Sequence, residues 1–345
     1  MLYDVAIRDP RQLRRDVRGV VLCVAAFLLT MLVVGVIVSL AAAFLEHPEI
    51  FKELVNSSQN SAYPSPDVDA ALTALLAEAI TDAALKYAGL SSILGMLCGL
   101  PWFFIIRGKK LVSTDVTQVH SKAAIGTLLA LFAIVLGVQF VMIAGQAVIE
   151  QLFNQGGSSL SDALDESMTE LALSTLGALY IVIIGPICEE LVFRGAVMRS
   201  LERYGANFAI IVSSLLFGLY HMILFQAAFA FLIGIVLAYT AGRFSLKWSM
   251  LLHMLNNGIA TLTIYVNNDL FAGALVLVFF LALIAAIVIL IVRRKLIIAQ
   301  KRAGAPSEPK VFARAFKSPW LISYVALTTL IALWPLVVQP ILDLL

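Results

Sequence analysis

Long apolar stretches separated by short polar segments dominate the pattern along this chain. Nine of them hold about 18 residues or more, the length that an α-helix needs to cross a hydrocarbon core of ~30 Å. They lie at 19–45, 87–106, 123–149, 171–188, 206–223, 225–242, 249–266, 271–292 and 319–342. The pattern predicts an all-α polytopic membrane protein with about nine transmembrane helices.

The composition agrees with that prediction. The chain has 345 residues, of which 61% are hydrophobic and 13% are charged, and its mean hydropathy is +0.95. Soluble domains are only about half apolar, so a soluble globular protein is excluded. The first stretch is too long, and too far from a small-residue cleavage site, to be a removed signal peptide. We expect the lipid bilayer as a partner and no nucleic acid.

The distribution of Lys and Arg predicts a cytoplasmic N-terminus, because cytoplasmic loops carry an excess of these residues. With that orientation, the inner segments hold 22 of the chain's 24 basic residues. These inner segments are 1–18, 107–122, 194–204, 243–247 and 293–317. We expect a multi-pass protein of a bacterial plasma membrane, with an endoplasmic reticulum location as the alternative.

Two polar segments between the apolar stretches have a distinct composition. The outer loop 46–86 contains "VDAALTALLAEAITDAALKY", which predicts an amphipathic helix at the outer surface rather than a tenth span. The segment 293–318 is basic with a Gly/Pro-containing centre, and it predicts a solvated cytoplasmic linker held near anionic lipid. Neither segment indicates a chemistry of its own.

Ionisable residues inside apolar stretches concentrate between 171 and 260, which divides the chain into four parts. We predict a cytoplasmic segment 1–18, helices 1–3 with the outer loop at 19–170, a catalytic core of helices 4–7 at 171–266, and helices 8–9 with the basic linker at 267–345. Helices 1–3 and 8–9 lack deep ionisable residues, so they are predicted to be scaffold.

Polar residues on neighbouring predicted helices of the core are the candidates for function. Such side chains are costly in lipid and usually face a cavity or one another. They are Glu189, Glu190, Arg194, His221, His253 and Asn257. Taken singly, the Glu pair could mark an interfacial helix end, and each histidine could bond a neighbouring helix. Their joint occurrence favours a shared site, in which the adjacent Cys188 is a small packing residue rather than a thiol nucleophile.

The helical spacing of these residues predicts which of them share a face. Glu190 and Arg194 are four apart, so an ion pair between them is expected. Glu189 projects roughly 100° away from Glu190 and is available for another partner. His221 shares a face with Phe217, four residues earlier, and His253 and Asn257 are likewise four residues apart.

A simple height estimate tests whether the residues can meet. Glu189 and His221 each lie 16 residues from Gly205, the predicted turn. If both arms are antiparallel helices, the two side chains stand at one height, about 24 Å from the turn. His253 follows Lys247 by only six residues. If its helix is straight, His253 therefore lies only about 9 Å from the inner boundary. For all three residues to meet, either the hairpin at Gly205 projects into the cytoplasm, or a helix is tilted or broken.

These residue types suit the hydrolysis of a carbonyl compound by water. A carboxylate and an imidazole can remove a proton from a shared water. A second imidazole and an amide can donate to the oxyanion. No Ser or Thr is obviously paired with a histidine, which disfavours a serine-type mechanism. Two histidines and a glutamate can also hold Zn²⁺ with an open position, although the HExxH pattern is absent.

Three motifs in this region resemble one family. "EELVFRG", "FGLYH" and "HMLNN" are similar to the EExxxR, FxxxH and HxxxN motifs of the CAAX protease and bacteriocin-processing (CPBP) family, which includes the type II CAAX prenyl endopeptidases. The resemblance covers roughly 170–260.

That resemblance implies a role for each matching residue. Glu189 is the implied general base, acting with His221 on the water, and Glu190 and Arg194 are its supporting pair. His253 and Asn257 are the implied stabilisers of the oxyanion. Glu189, His221 and His253 are the implied ligands if Zn²⁺ binds.

The leading hypothesis is an intramembrane endopeptidase whose peptide or protein substrate enters from the cytoplasmic side. Lipidated C-termini, leader peptides and bacteriocin-like precursors are the candidate substrates. A non-catalytic membrane scaffold or immunity-type regulator with the same polar core is the alternative. A proton-coupled transporter is disfavoured, because the chain shows no repeated pair of Gly/Pro-broken helices.

Overall fold

The structure is a computed structural model that describes residues 10–60, 66–153, 169–266, 268–304 and 310–337. Within these residues the chain forms helices, and its only β-type pairing is an isolated bridge between Val119 and Ser245. The predicted all-α class is confirmed. The last part of the ninth predicted stretch, 338–342, lies outside the described residues.

Thirteen helices are numbered here in chain order. They are α1 (Pro10–Glu46), α2 (Pro48–Asn60), α3 (Pro66–Lys86), α4 (Ala88–Arg107), α5 (Ile125–Phe153), α6 (Thr175–Tyr204), α7 (Ala206–Tyr220), α8 (Leu224–Arg243), α9 (Leu246–Val266), α10 (Asp269–Val292), α11 (Arg294–Ala303), α12 (Val311–Ala315) and α13 (Pro319–Val337).

The apolar helices identify an integral multi-pass membrane protein. Each of the nine predicted stretches coincides with a helix, and six helices in the described residues are long and apolar enough to cross a bilayer: α1, α4, α5, α6, α8 and α10. Helices α7 and α13 are apolar but shorter. Helix α9 is long enough, but His253 and its neighbouring asparagines lower its hydropathy. The count of nine spans and the cytoplasmic N-terminus stay predictions.

Helix α6 differs from the predicted stretch 171–188. It continues through the Glu pair to Tyr204, so the Glu pair lies within a helix and not at an interfacial helix end. At 30 residues it is about 45 Å long. A helix of this length exceeds a ~30 Å hydrocarbon core, which favours a hairpin at Gly205 that projects beyond it.

Two arginines assigned to the inner segment 194–204 are buried in the protein instead of lying in a loop. Arg194 is 0% exposed and Arg199 is 8% exposed. Arg199 donates to Glu202 over 2.7 Å, and its Nη2 lies 2.7 Å from Nε2 of His120. Burial, and then the charge of Arg199, lower the pKa of His120. Arg199 therefore connects helix α6 to the loop before α5.

Both polar segments singled out in the sequence contain helices in their described residues. The amphipathic stretch forms α3, which packs on α1 through Ala79 and Ala83. The basic linker 293–318 contains α11 and α12, and Val311 and Ala315 are buried in the core. The prediction of a merely solvated linker was wrong, because the apolar side chains of α12 pack against the bundle.

The hairpin formed by α7 and α8 is the tightest helix pair near the polar core. At Gly218, an added Cβ would lie 2.5 Å from the Ala227 carbonyl oxygen and 2.9 Å from Cβ of Phe231. Both neighbouring atoms belong to α8, and neither can yield as the end of a flexible side chain would. Gly218 therefore permits the contact that holds the end of α7 against α8.

We expect Gly218→Ala to destabilise the protein by about 1–3 kcal/mol, because the methyl group forces the hairpin apart. The measurement is thermal unfolding of the purified protein in detergent. Gly145→Ala in α5 is the matched control, since nothing lies within 4 Å of its added Cβ. Equal midpoints for the two variants would contradict the close packing of α7 and α8.

Candidate active site

The local conformation of α6 sets the direction of the glutamates. Residues Tyr180–Ile184 form a π-helical turn, in which the Gly185 N–H bonds the Tyr180 carbonyl. In this register the Ile181 carbonyl would accept from residue 186, but that residue is Pro186 and has no N–H. The side-chain amide of Asn257 fills this place, with Nδ2 2.9 Å from the Ile181 oxygen. Helix α9 therefore completes a hydrogen bond that α6 lacks.

A second π-helical stretch, Leu191–Met198, follows the glutamates directly. It contains Arg194, and its Phe193 carbonyl accepts a hydrogen bond from the Ser213 hydroxyl over 2.7 Å. π-helical turns within α-helices occur often at functional sites, since they alter the direction of the side chains around them. The two glutamates thus lie between two irregular turns, each of which bonds a neighbouring helix.

Glu190 and Arg194 form the ion pair that their spacing predicts. Nη1 of Arg194 lies 2.8 Å from Oε1 of Glu190, and both side chains are 0% exposed. The guanidinium carbon lies 4.2 Å from the centre of the Phe217 ring, and Nη2 donates to the Gly234 carbonyl over 3.3 Å. The N–H groups of Nη1 do not point at the Glu190 oxygen, so this contact is an ion pair without a hydrogen bond. Charge attraction to Glu190 and the face of the Phe217 ring therefore hold Arg194 in place.

His253 lies between the two glutamates. Its Nδ1 is 3.1 Å from Oε1 of Glu190, and its Nε2 is 3.6 Å from Oε2 of Glu189. The first distance is a hydrogen bond, whereas the second is too long for one. His253 is 3% exposed and Glu189 is 7% exposed. Helices α6 and α9 thus bring an acid and an imidazole together in a site that bulk water reaches poorly.

Ser249 is a member of the site that the sequence reasoning missed. Its hydroxyl donates to Oε2 of Glu190, and the residue is fully buried. The available signal was spacing, since Ser249 precedes His253 by four residues and therefore lies on the same face of α9. Glu190 consequently contacts Arg194, His253 and Ser249, and its two oxygens are both engaged.

His221 lies at the end of α7, where the chain turns sharply. The next residue, Met222, has φ of +55°, an uncommon conformation for a residue with a side chain. Nδ1 of His221 lies 2.9 Å from the Phe217 carbonyl. Because that oxygen can only accept, Nδ1 carries the proton and Nε2 is left as an acceptor. His221 makes no hydrogen bond to Glu189, although it is close enough to interact with its charge.

Phe217 is the shared neighbour of the predicted residues. Its ring centre lies 5.0 Å from that of His221 and 5.6 Å from that of His253, and Arg194 covers its face. The structure therefore brings Arg194, His221 and His253 around one aromatic ring. Glu190 and Glu189 join this group through His253. The phenylalanine of the "FGLYH" motif thus packs at the centre of this group.

Asn257 lies beside this group with its amide engaged. One N–H of the Asn257 amide donates to the Ile181 carbonyl, and the side-chain oxygen accepts from Nδ2 of Asn256 over 3.2 Å. Asn256, which matches no motif position, thus orients Asn257. The role of Asn257 that this geometry supports is to hold α9 against α6, and its predicted donation to an oxyanion stays a prediction.

Helix α1 also reaches the site, beyond its predicted role as scaffold. The Tyr220 ring stacks on Phe27 with centres 5.9 Å apart, and its hydroxyl contacts Sδ of Met31 over 3.2 Å. Tyr220 in turn packs against the ring of His221, 5.3 Å between centres. The first helix therefore supports the turn that carries His221.

The geometry accommodates Zn²⁺ only in part. Zinc binds nitrogen and oxygen ligands at about 2.0–2.2 Å, so a pair 3.6 Å apart, as between His253 and Glu189, is suitable. Glu189, His221 and His253 do not, however, bring their ligand atoms within 4.8 Å of one another. In the described residues, a group of this kind with its ligand atoms within 4.8 Å is formed by Glu46, His47 and Asp82, at the C-terminal end of α1. Zn²⁺ held by the three predicted ligands stays a prediction.

A family comparison agrees with the motifs. Residues 171–259 match the family described as type II CAAX prenyl endopeptidase Rce1-like. The resemblance to the CAAX protease and bacteriocin-processing family is confirmed over this segment, which contains all six predicted site residues. Searches of curated proteins and of solved structures give no match.

The buried ion pair yields a prediction about stability. We expect Glu190→Gln and Arg194→Met each to destabilise the protein by about 3–5 kcal/mol, since each leaves a buried charge without its partner. The double variant should lose less than the sum, because no lone charge remains. Thermal unfolding in detergent measures all three.

Arg203→Gln is the matched control, because its ion pair with Asp16 is half exposed and such pairs contribute about 0–1 kcal/mol. Strictly additive losses for Glu190→Gln and Arg194→Met would show that the two side chains do not depend on each other.

The bond between Asn257 and Ile181 yields a second prediction. We expect Asn257→Ala to destabilise the protein by about 0.5–1.5 kcal/mol, since a partly buried carbonyl loses its donor. In a Pro186→Ala background the loss should shrink, because an alanine at this position supplies an N–H to the same oxygen. Unfolding midpoints of the four proteins measure this coupling. An unchanged loss in both backgrounds would contradict the role assigned to Pro186.

Proposed function

We propose that this protein is an intramembrane endopeptidase in which Glu189 is the general base. The observation that carries the proposal is the unequal use of the two adjacent carboxylates. Glu190 is occupied by Arg194, Ser249 and His253. Glu189 is buried with no hydrogen bond to another described side chain, and an imidazole nitrogen faces it at 3.6 Å. Glu190 thus holds the surrounding side chains in position, and Glu189 is available to accept a proton.

The proposed reaction is attack of water on a peptide carbonyl. Glu189 takes one proton from the water, and Nε2 of His221, which has no proton, accepts a hydrogen bond from the same molecule. The water oxygen bonds the carbonyl carbon, and the carbonyl oxygen gains the negative charge. Glu189 then passes its proton to the leaving amine as the C–N bond breaks, which regenerates the carboxylate.

His253 is the proposed stabiliser of the oxyanion. Glu190 fixes its orientation through Nδ1, so Nε2 points to the space beside Glu189. When both nitrogens of His253 hold protons, Nε2–H donates to the developing charge in a site with little competing water. No step here depends on a metal, and bound Zn²⁺ would add Lewis-acid polarisation of the carbonyl.

The proposed substrates are peptides that approach the membrane from the cytoplasmic side. The matched family is described as type II CAAX prenyl endopeptidase Rce1-like, so a lipidated C-terminus is the first candidate, followed by leader peptides and bacteriocin-like precursors. The apolar surroundings of the site favour a substrate with a lipid or an apolar segment. We place the enzyme in a bacterial plasma membrane.

A non-catalytic scaffold or immunity-type regulator is the second candidate. Two observations favour it: His221 makes no hydrogen bond to Glu189, and one of the two N–H groups of the Asn257 amide already bonds Ile181. In that case the buried polar network would serve only to fix the packing of α6, α7 and α9.

The test compares membrane-associated peptides from cells that express the wild type or Glu189→Gln, by mass spectrometry. We expect the variant to lose cleavage products by about 10²-fold or more, because general-base catalysis contributes about 10²–10⁴-fold. Glutamine keeps the size of the side chain but cannot take the proton.

Cys188→Ser is the matched control, since Cys188 precedes Glu189 in the sequence and is also buried; its peptide profile should equal that of the wild type. Unchanged products in a folded Glu189→Gln protein would exclude proteolysis by this site and favour the scaffold.

A further inference from the structure

A cavity separate from the candidate active site lies at the end of the bundle where α6 and α7 meet. It measures about 1080 Å³. Its walls come from α5, α7, α8, α10 and α11, and they are mostly apolar, with Leu131, Ile211, Val236 and Leu290 as examples. None of the six predicted site residues borders it, so the proposed peptidase reaction gives this cavity no role.

Basic side chains stand at this cavity. Arg243 ends α8, Arg293 follows α10, and Lys301 lies in α11; all three line the cavity and are exposed. No ion pair in the described part of the chain involves them. The one carboxylate of the lining, Glu202, is paired with Arg199 over 2.7 Å. The cavity therefore carries an uncompensated positive charge beside its apolar walls.

Helix α11 closes one side of the cavity and is held there by tertiary hydrogen bonds. The Asn207 side chain donates to the Lys301 carbonyl over 2.6 Å, and its backbone N–H donates to the Gly304 carbonyl over 2.9 Å. The Tyr239 hydroxyl donates to Oε1 of Gln300 over 3.1 Å. Leu296 and Ile297 of the same helix line the space. The cavity is thus a built feature of the fold.

We propose that this cavity binds one anionic glycerophospholipid of the adjoining leaflet. Its acyl chains would contact the apolar walls of α5, α7 and α10, and its phosphate would lie among Arg243, Arg293 and Lys301. Charge complementarity selects this occupant, because basic pockets between membrane helices on the cytoplasmic side suit anionic headgroups. A lipid without net charge, or a peptide without acidic groups, would leave this positive charge uncompensated beside an apolar space. The predicted topology places this end at the cytoplasmic leaflet.

The test uses the full chain, purified and delipidated in detergent, with two lipids that share the same acyl chains. Phosphatidylglycerol is anionic and phosphatidylcholine is neutral overall. Native mass spectrometry counts the bound lipid over a titration. We expect the wild type to bind phosphatidylglycerol on the order of tenfold or more tightly than phosphatidylcholine, since each cation near a headgroup contributes measurably.

Matched charge variants locate the effect. Replacement of Arg243, Arg293 and Lys301 by Gln should remove the preference for phosphatidylglycerol. The control replaces Arg294, Lys295 and Arg302 by Gln, because these exposed cations lie in α11 but do not line the cavity. This control removes the same charge and should keep the preference. Size-exclusion profiles and unfolding midpoints confirm that both proteins are folded.

A cavity-filling variant tests the apolar part. Ile211→Trp should weaken binding of both lipids, since its ring occupies space that the acyl chains need. Equal binding of the two lipids by the wild type, or equal losses from the two charge variants, would overturn the proposal. Phosphatidylglycerol binding that is unchanged in Ile211→Trp would also overturn it. So would displacement of phosphatidylglycerol by a farnesylated peptide that binds equally well to the wild type and to both charge variants. These readouts do not use peptidase activity, so failure of the proposed function leaves them intact.

Discussion

The ion pair between Glu190 and Arg194 is the constraint on which the rest of this site depends. Both charges are fully buried, and neither would be tolerated alone in an apolar bundle. The fold therefore surrounds them with compensating groups: the face of Phe217, the Ser249 hydroxyl and Nδ1 of His253. Because those groups come from α7 and α9, satisfying the pair forces three helices to meet. Burial of charge thus organises the candidate active site.

Irregular backbone in α6 serves the same end. Pro186 removes the N–H that the Ile181 carbonyl would otherwise bond, and Asn257 supplies the donor from α9. The π-helical stretch after Glu190 is likewise completed by Ser213 of α7. Each departure from regular helix is therefore satisfied by a neighbouring helix. Stability and positioning are coupled here, and a change in one residue affects both.

The chain keeps its two polar features apart. The candidate active-site residues are enclosed by α6, α7 and α9, where exposure is low and electrostatic interactions are strong. The basic residues beside the second cavity are exposed at the end of the bundle. A hydrolytic site benefits from restricted water, whereas a headgroup site needs access to the membrane surface. The candidate active site and the basic cavity therefore lie in different parts of one bundle.

Much of this could be derived from the sequence by itself. The lengths of the apolar stretches predicted the helices, and helical periodicity predicted the ion pair of Glu190 and Arg194. The equal separations of Glu189 and His221 from Gly205 predicted that these two residues lie in one region. These features are local, because one helix repeats every 3.6 residues. The bond from Ser249 to Glu190, the bond from Asn257 to Ile181, the length of α6 and the docking of α11 were decided only by the tertiary structure, although helical spacing already placed Ser249 on the face of His253. They depend on which carbonyl a neighbouring helix must satisfy and on which face it buries, and no spacing within a single helix contains that information.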